Sequence, residues 1–204
     1  ALVDKMPGDV WQKMANLRLL LMYQMCHPGK KLLFMGQEFA QWQEWDETVG
    51  LDWPLCEAPM HRGVQQCLRE AIALYRDWPA LHQHDFESQG FAWIDCHDFQ
   101  QSVISFERRA TVLDAQGHPQ TQTLICVFNF TPVPRDNYRI GLPQAGTYRL
   151  LLNSDQTAFG GSDVAIPEFL ETEDQAWMNR PVSAAMTLPP LGAMVWVHTT
   201  QDFS

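Results

Sequence analysis

The sequence has few basic residues for its length. Its 204 residues include 14 Lys and Arg against 24 Asp and Glu, a formal net charge of −10. A surface of this sign repels nucleic acid backbones and anionic lipids, so neither is an expected partner. Long apolar runs are also lacking, because the most apolar stretch, residues 17–25, contains Arg18, Tyr23 and Gln24 and cannot serve as a membrane span. A neutral polymer such as a polysaccharide is not repelled by this charge.

Paired cysteines are absent as well. The five cysteines stand far apart, at positions 26, 56, 67, 96 and 126, and none belongs to a Cys-x-x-Cys pair. The pattern favours neither a disulfide framework nor a structural metal site, and it predicts a location in the reducing cytoplasm.

Apolar and aromatic residues, in contrast, are plentiful. Apolar residues make up 46% of the chain, which is typical of a globular protein, and eight of the residues are Trp. An indole can stack on the C–H face of a sugar ring, but tryptophans also fill protein cores. The count is therefore compatible with either role.

Residues 1–85 show helical periodicity on both sides of a short apolar run. Asp9, with Gln12 three residues later, predicts the start of a helix whose apolar stripe continues to residue 25. A second amphipathic helix is predicted over residues 64–75. Between them, residues 31–35 read as a buried strand of a parallel sheet, followed by a long loop over residues 37–59. This order is typical of βαβ architecture and indicates a piece of something larger, such as the end of a (β/α)₈ barrel.

Residues 86–204 have a different pattern. Six short apolar runs, at 91–96, 102–107, 123–130, 147–152, 184–188 and 193–198, are separated by turns rich in Gly, Pro, Asp and Asn. They predict an antiparallel β-sandwich. Residues 82–85 are expected to be a solvated linker, and the acidic residues 160–181 an exposed, irregular loop.

Long motifs occur in both halves. They are Asp4-Lys5-Met6-Pro7-Gly8-Asp9, the run from Pro28-Gly29-Lys30 to Gly36-Gln37-Glu38-Phe39-Ala40-Gln41, Leu51-Asp52-Trp53, Gly90-Phe91-x-Trp93, Asn129-Phe130-Thr131-Pro132-Val133-Pro134-Arg135 and Leu188-Pro189-Pro190-Leu191. Together they resemble the C-terminal portion of bacterial glycogen (1,4-α-glucan) branching enzymes, members of the α-amylase-like superfamily. The resemblance covers nearly the whole chain. It implies an α+β fragment: the last helix–strand–helix of a (β/α)₈ barrel over residues 1–85, then an all-β antiparallel sandwich over residues 86–204.

The resemblance also implies an activity. Enzymes of this family cut an α-1,4-glucan, hold the released segment on an aspartate and transfer it to a 6-hydroxyl, without a cofactor. The last of their three catalytic carboxylates, a second Asp, sits in a His-Asp-Glu motif that precedes the part matched here. This sequence has no such motif, since His97-Asp98 is followed by Phe99. Retaining chemistry needs two carboxyl groups about 5–5.5 Å apart. We therefore expect no catalytic residue here, and an inactive chain without the N-terminal part of the same enzyme.

Three candidate substrate-binding residues lie on the loop. Gln37 and Glu38 follow the predicted strand at its C-terminal end, the side of a barrel that carries the active site. Either residue lines the glucan cleft or orients a catalytic side chain, and the alternative is that Glu38 is a structural carboxylate bound by backbone N–H groups or an Arg. Trp42 either stacks on sugar or anchors the loop. For Trp45 and Trp53 the anchoring role is favoured.

Two further candidates lie outside the loop. Asp9 has an ordinary role as N-cap, but it would also lie on the active-site side of a barrel and could accept hydrogen bonds from sugar hydroxyls. Trp93 alternates with Ile94, the better core residue, so we expect Ile94 to face inward and Trp93 to be an exposed platform for a glucan chain.

The sequence thus predicts part of a branching enzyme whose partner is α-glucan. Two alternatives remain open: a carbohydrate-binding or structural module without bond chemistry, and a fragment of a related amylase or trehalose-forming hydrolase. Without the rest of a barrel, residues 32–35 and the apolar stripes of both helices would lose their cover. We therefore expect self-association, or protease sensitivity of residues 1–85.

Overall fold

Two long helices and eight strands make up the regular structure in the computed structural model, which describes residues 1–199. The helices are α1 (Val10–Cys26) and α2 (Pro59–Asp77). The strands are β1 (Phe91–Asp98), β2 (Val103–Leu113), β3 (Pro119–Asn129), β4 (Arg135–Leu142), β5 (Thr147–Asn153), β6 (Phe169–Glu171), β7 (Val182–Leu188) and β8 (Gly192–Thr199). Neither helix is long and apolar enough to cross a membrane.

The strands form two antiparallel sheets. Six of them lie in the order β1-β2-β3-β8-β5-β6, and β4 pairs with β7 in a second sheet. The two sheets enclose one apolar core, which contains Ile125, Val127 and Trp196. The predicted all-β antiparallel sandwich is confirmed.

The central strands of the large sheet are buried on both faces. Along β3, Leu124, Cys126 and Phe128 point to one side, whereas Ile125 and Val127 point to the other. Successive side chains of a strand alternate between faces, so these residues contribute to two different cores. The second core lies between the large sheet and the helices.

Both helices pack on that outer face of the large sheet. Their apolar stripes, including Met14, Leu21 and Val64, join Phe106 and Phe128 in a single hydrophobic core. The expectation that the stripes would lose their cover is wrong for most of their length, because the sheet itself covers them. Of the predicted stripe residues, Val10 at the start of α1 and Ile72 on α2 remain exposed. The boundary at residue 85 stays a prediction, and this core is continuous across it.

The predicted strand at residues 31–35 is wrong. This segment has no regular secondary structure and ends in a turn, and it pairs with no strand among residues 1–199. A buried parallel strand needs neighbours on both edges and cover on both faces. Neither is present, and Leu32 keeps 73% of its surface exposed. The barrel end is therefore not established by the fold, which is that of an antiparallel β domain with two helices.

The prediction of a solvated linker at residues 82–85 is wrong for Asp85. Its carboxylate accepts a hydrogen bond from Nη2 of Arg108, which is fully buried on β2. The same guanidinium donates to the carbonyl oxygens of Cys26, Leu81 and Gly90. It therefore ties the end of α1 to the sheet, where a cation also suits the helix dipole. The acidic loop at 160–181 likewise contains a short strand, β6.

Candidate functional site

Asp9 begins α1 as predicted. Its Oδ1 accepts the backbone N–H of Gln12 over 2.8 Å, and the side-chain Oε1 of Gln12 accepts the backbone N–H of Asp9 over 2.9 Å. This confirms the capping box. Oδ2 makes no hydrogen bond to residues 1–199, so one carboxylate oxygen is still available to a ligand.

Gln37 and Glu38 lie in a tight turn that follows residues 31–35. Gly36 has a φ of 84°, and the Gln37 side chain accepts the backbone N–H of Phe34 over 3.1 Å, which closes the turn. Glu38 is half-buried and forms neither a hydrogen bond nor an ion pair within the described residues. The partners expected for a purely structural carboxylate are thus not found there. Its charge, together with burial as the larger cause, raises the pKa of the nearby Cys56 thiol.

Trp42 is fixed by a buried histidine. Its indole N–H donates to Nε2 of His61 over 3.1 Å, while Nδ1 of His61 lies 2.8 Å from the carbonyl oxygen of Phe39. This assigns His61 as a neutral ring with its proton on Nδ1. Since the Trp42 ring also packs against the core, the side chain attaches the loop to α2.

Trp45 and Trp53 are more exposed than anchors of a loop would be. Each contacts one phenylalanine, Phe34 at 5.5 Å and Phe39 at 4.9 Å between ring centroids. Trp53 nevertheless keeps 54% of its surface exposed. Sequence reasoning favoured anchoring for these two and left Trp42 open, whereas the contacts give Trp42 the stronger anchoring role.

Trp93 lies on β1, at the edge of the large sheet. Ile94 is buried in the core between the sheets, while Trp93 retains 40% exposure. Its indole contacts Phe91 and Phe106 edge-to-face, at 5.0 and 5.7 Å between centroids. The expectation of an exposed Trp93 with Ile94 facing inward is confirmed.

The candidate substrate-binding residues do not all lie together in the structure. Asp9 and His27 cap the two ends of α1, about 27 Å apart at 1.5 Å per residue. Trp93 contacts His27, so it lies at the opposite end of the helix from Asp9. Gln37 borders a groove of about 430 Å³ that is also lined by Tyr23 and His27. Gln37 and Trp93 therefore lie towards one end of α1, and Asp9 lies at the other.

Sequence reasoning missed one exposed aromatic. Trp177 stands within the stretch that was expected to be an irregular acidic loop, yet it lies on a hydrogen-bonded turn beside β4. No alternation of apolar residues in the sequence indicates this turn, because Trp177 and Arg180 pair with each other in an isolated bridge and not within a longer strand. Its neighbourhood contains the carboxylates of Asp95, Asp98 and Asp136.

The two-sheet fold defines a known class of domain. Residues 93–199 match the family described as "Alpha amylase, C-terminal all-beta domain", and since the match covers more than half of the chain, the chain belongs to this family. Along 195 residues, 96% of its length, it is also similar to the 1,4-alpha-glucan branching enzyme GlgB of Hydrogenovibrio crunogenus, at 59% identity. The corresponding enzyme of Marinobacter nauticus is 49% identical over 195 residues.

The chain spans only a part of these relatives. It covers 26% of the Hydrogenovibrio enzyme and 30% of the Marinobacter enzyme. Among solved structures, the crystal structure of Ttha1563 from Thermus thermophilus superposes with a TM-score of 0.61, covering 93% of this chain and 32% of that one. At 16% identity this likeness shows the fold alone.

Proposed function

We propose that this chain is the C-terminal part of a 1,4-α-glucan branching enzyme. The complete enzyme cuts an α-1,4-glucan and transfers the segment to a 6-hydroxyl, forming the α-1,6 branches of glycogen. The observation that carries the proposal is the 59% identity to a branching enzyme along 96% of this chain. It extends through the loop over residues 37–59 as well as the β domain.

The chain contributes substrate contacts rather than bond chemistry. Retaining chemistry requires two carboxyl groups about 5–5.5 Å apart, and the His-Asp-Glu motif that carries one of the family's catalytic carboxylates does not occur in the sequence. The Glu38 carboxylate and Oδ2 of Asp9 accept hydrogen bonds from sugar hydroxyls, Gln37 supplies an amide, and Trp93 offers an exposed ring. Trp42 acts mainly by holding the loop that carries Gln37 and Glu38.

The remainder of the enzyme covers the loop side of the chain. Leu32, Phe34, Met35, Val49 and Trp53 are all largely exposed and lie in or beside the loop. Exposed apolar surface concentrated in this way marks an interaction site. We assign it to the rest of a (β/α)₈ barrel, in which residues 31–35 would become the paired strand that they do not form alone.

The enzyme belongs in the cytoplasm. All five thiols, at Cys26, Cys56, Cys67, Cys96 and Cys126, are free, and a reducing compartment preserves such thiols.

A segment exchange tests this proposal. The matching segment of the Hydrogenovibrio branching enzyme is replaced by this chain, and the chimera is incubated with amylose. We expect α-1,6 linkages to appear, because the two segments are 59% identical over 195 residues. Amylose with the unmodified relative is the positive control.

Two results would contradict the proposal. A folded chimera that shortens amylose without forming α-1,6 linkages would place the chain in a related hydrolase. A folded chimera that binds amylose but leaves it intact would favour a binding module. Circular dichroism and an unfolding curve establish that the chimera is folded.

A further inference from the structure

A buried histidine joins the loop over residues 37–59 to α2. His61 lies in the first turn of α2 and has only 3% of its surface exposed. Its Nδ1 lies 2.8 Å from the carbonyl oxygen of Phe39, and its Nε2 accepts the indole N–H of Trp42 over 3.1 Å. The Trp42 ring meets the imidazole edge-on, with 5.8 Å between ring centroids. Both ring nitrogens therefore bind the loop, at two points three residues apart.

The carbonyl that His61 binds belongs to the turn that carries Glu38. Gln37–Phe39 form a single turn of 3-10 helix, which is enclosed by a backbone hydrogen bond of 2.9 Å from Gln41 to Gly36. The backbone of Glu38 is therefore held on both sides, while its carboxylate makes no hydrogen bond within residues 1–199. The bond to His61 fixes the position of this carboxylate relative to α2.

The residue between the two attachment points has an unusual backbone conformation. Ala40 has a φ of 59°, in the left-handed region that residues other than glycine rarely adopt. Such a conformation persists only where the surrounding structure enforces it, and it is common at ligand-binding sites. The Phe39 carbonyl on one side of Ala40 and the Trp42 indole on the other both bind His61. His61 therefore holds the backbone in this conformation from both sides.

An apolar contact alone would not orient this turn. A leucine at position 61 would fill the buried space, but it would leave the carbonyl oxygen of Phe39 and the indole N–H of Trp42 without a partner. Hydrophobic burial is also non-directional, whereas a hydrogen bond fixes both a distance and an angle. The imidazole therefore determines how the turn is oriented on α2, in addition to filling space.

We propose that His61 is a positioning residue for glucan binding, which holds the turn that presents Gln37 and Glu38 to the glucan through its bonds to Phe39 and Trp42. The proposal rests on the proposed function for the identity of the substrate. It assigns His61 no contact with the glucan. Its effect reaches the substrate through the turn, and it requires a neutral ring with the proton on Nδ1.

Nitrogen NMR spectra of the isotope-labelled chain measure the tautomer of His61. At neutral pH we expect a proton on Nδ1 and none on Nε2, because Nδ1 faces a carbonyl oxygen and Nε2 faces an N–H group. The signals of this ring are identified by their loss in His61→Gln. A ring protonated on Nε2 would overturn the proposal, since it could not accept the Trp42 N–H.

Branching kinetics of the chimera with the Hydrogenovibrio enzyme test the consequence for the substrate. His61→Leu should raise the KM for amylose about five- to tenfold and change kcat less than about twofold, because the turn no longer holds its glucan contacts in place. A merely structural role would instead lower the folded fraction, which reduces kcat and leaves KM unchanged. His61→Gln supplies an amide donor and an acceptor, so it should restore most of the affinity.

Two further variants make the comparison specific. Trp42→Phe keeps a ring but removes the indole donor, and it should raise KM about two- to threefold. This variant also decides the question if His61→Leu does not fold. Gln122→Leu is the matched control: it removes a hydrogen bond of 3.0 Å to the backbone N–H of Ala80, which lies beyond the other end of α2. Its KM should equal that of the unmodified chimera.

The outcomes separate this proposal from the proposed function. An unchanged KM in His61→Leu and Trp42→Phe, or an equal rise in Gln122→Leu, would overturn the role of His61 while the chimera still branches amylose. If the unmodified chimera does not branch, the proposed function fails instead. Hydrogen exchange of the Gln41 amide then decides on His61: we expect exchange about tenfold faster in His61→Leu than in Gln122→Leu, and equal rates would overturn the proposal.

Discussion

At the scale of single residues, buried charges are what sequence reasoning missed. Arg108 and Asp85 are separated by 23 positions, and neither carries a mark in the sequence that predicts the pair. The prediction of a solvated linker at residues 82–85 rests on the position of this segment between the two halves of the chain. Only the packing of β2 against the end of α1 brings Arg108 and Asp85 together. By contrast, the inward position of Ile94 and the exposure of Trp93 followed from simple alternation.

The Arg108 pair should dominate local stability. Arg108→Met keeps the length of the side chain but leaves Asp85 and three buried carbonyl oxygens without their donor, which should lower the free energy of unfolding by about 3–5 kcal/mol. Urea unfolding followed by circular dichroism measures this. Arg76→Met is the control: Arg76 pairs with Asp77 at the surface, so its loss should leave the unfolding midpoint nearly unchanged. Equal effects of the two substitutions would refute the assignment.

The buried thiol of Cys67 makes stability depend on pH. Burial, as the largest cause, raises its pKa from 9.0 to about 12. Because the folded-state pKa exceeds the unfolded one, its contribution to stability is fully present below pH 9 and is lost as the pH rises towards about 12. Unfolding midpoints measured across this range should fall less steeply in Cys67→Ala than in the unmodified chain. Parallel slopes would contradict the assignment.

At the scale of elements, prediction succeeded where the signal was local. The capping box fixed the start of α1, and alternating apolar residues located six of the eight strands. The other two were missed for different reasons: β4 begins with Arg135-Asp136-Asn137, and β6 has only three residues. The strand expected at residues 31–35 failed because an apolar run becomes a strand only if partners are available to pair with it.

The close packing of α2 against the chain at Phe159 depends on Gly63. In an exposed helix, Gly→Ala commonly stabilises by about 0.5–1 kcal/mol. At Gly63 on α2 a Cβ would lie 2.5 Å from the carbonyl oxygen of Phe159, so the backbones must separate. Gly63→Ala should therefore destabilise by about 1–3 kcal/mol. Thermal unfolding measures this, with Gly50→Ala, where a Cβ meets nothing, as the control. A stabilised Gly63→Ala would show that α2 packs less closely.

At the scale of the whole molecule, the helices and the large sheet share one core across residue 85. The contrast in sequence pattern between the two halves did not reveal this, because each helical stripe is covered by strands that are distant in sequence. The loop side is different, since its apolar residues stay exposed. The large sheet covers the helices, whereas the loop has no cover. This arrangement fits a chain that forms a complete β domain and contacts the rest of an enzyme through its loop side.

This exposed face should cause the chain to self-associate. Sedimentation velocity is expected to show an average sedimentation coefficient that rises with protein concentration, because Leu32 and Phe34 can be covered by a second copy. The double variant Leu32→Ser, Phe34→Ser should remain closer to a monomer. Leu113→Ser, which removes an equally exposed but distant leucine, should behave like the unmodified chain. A monomer at every concentration would contradict the prediction.

The most direct test of the central claim is a proton NMR spectrum of amylose incubated with the pure 204-residue chain. We assign this chain glucan contacts without the paired carboxylates of retaining chemistry. The spectrum should therefore show no α-1,6 anomeric signal and no new reducing ends, while amylose treated with the Hydrogenovibrio branching enzyme develops the α-1,6 signal. Growth of that signal with the chain alone, in proportion to its concentration, would contradict the account.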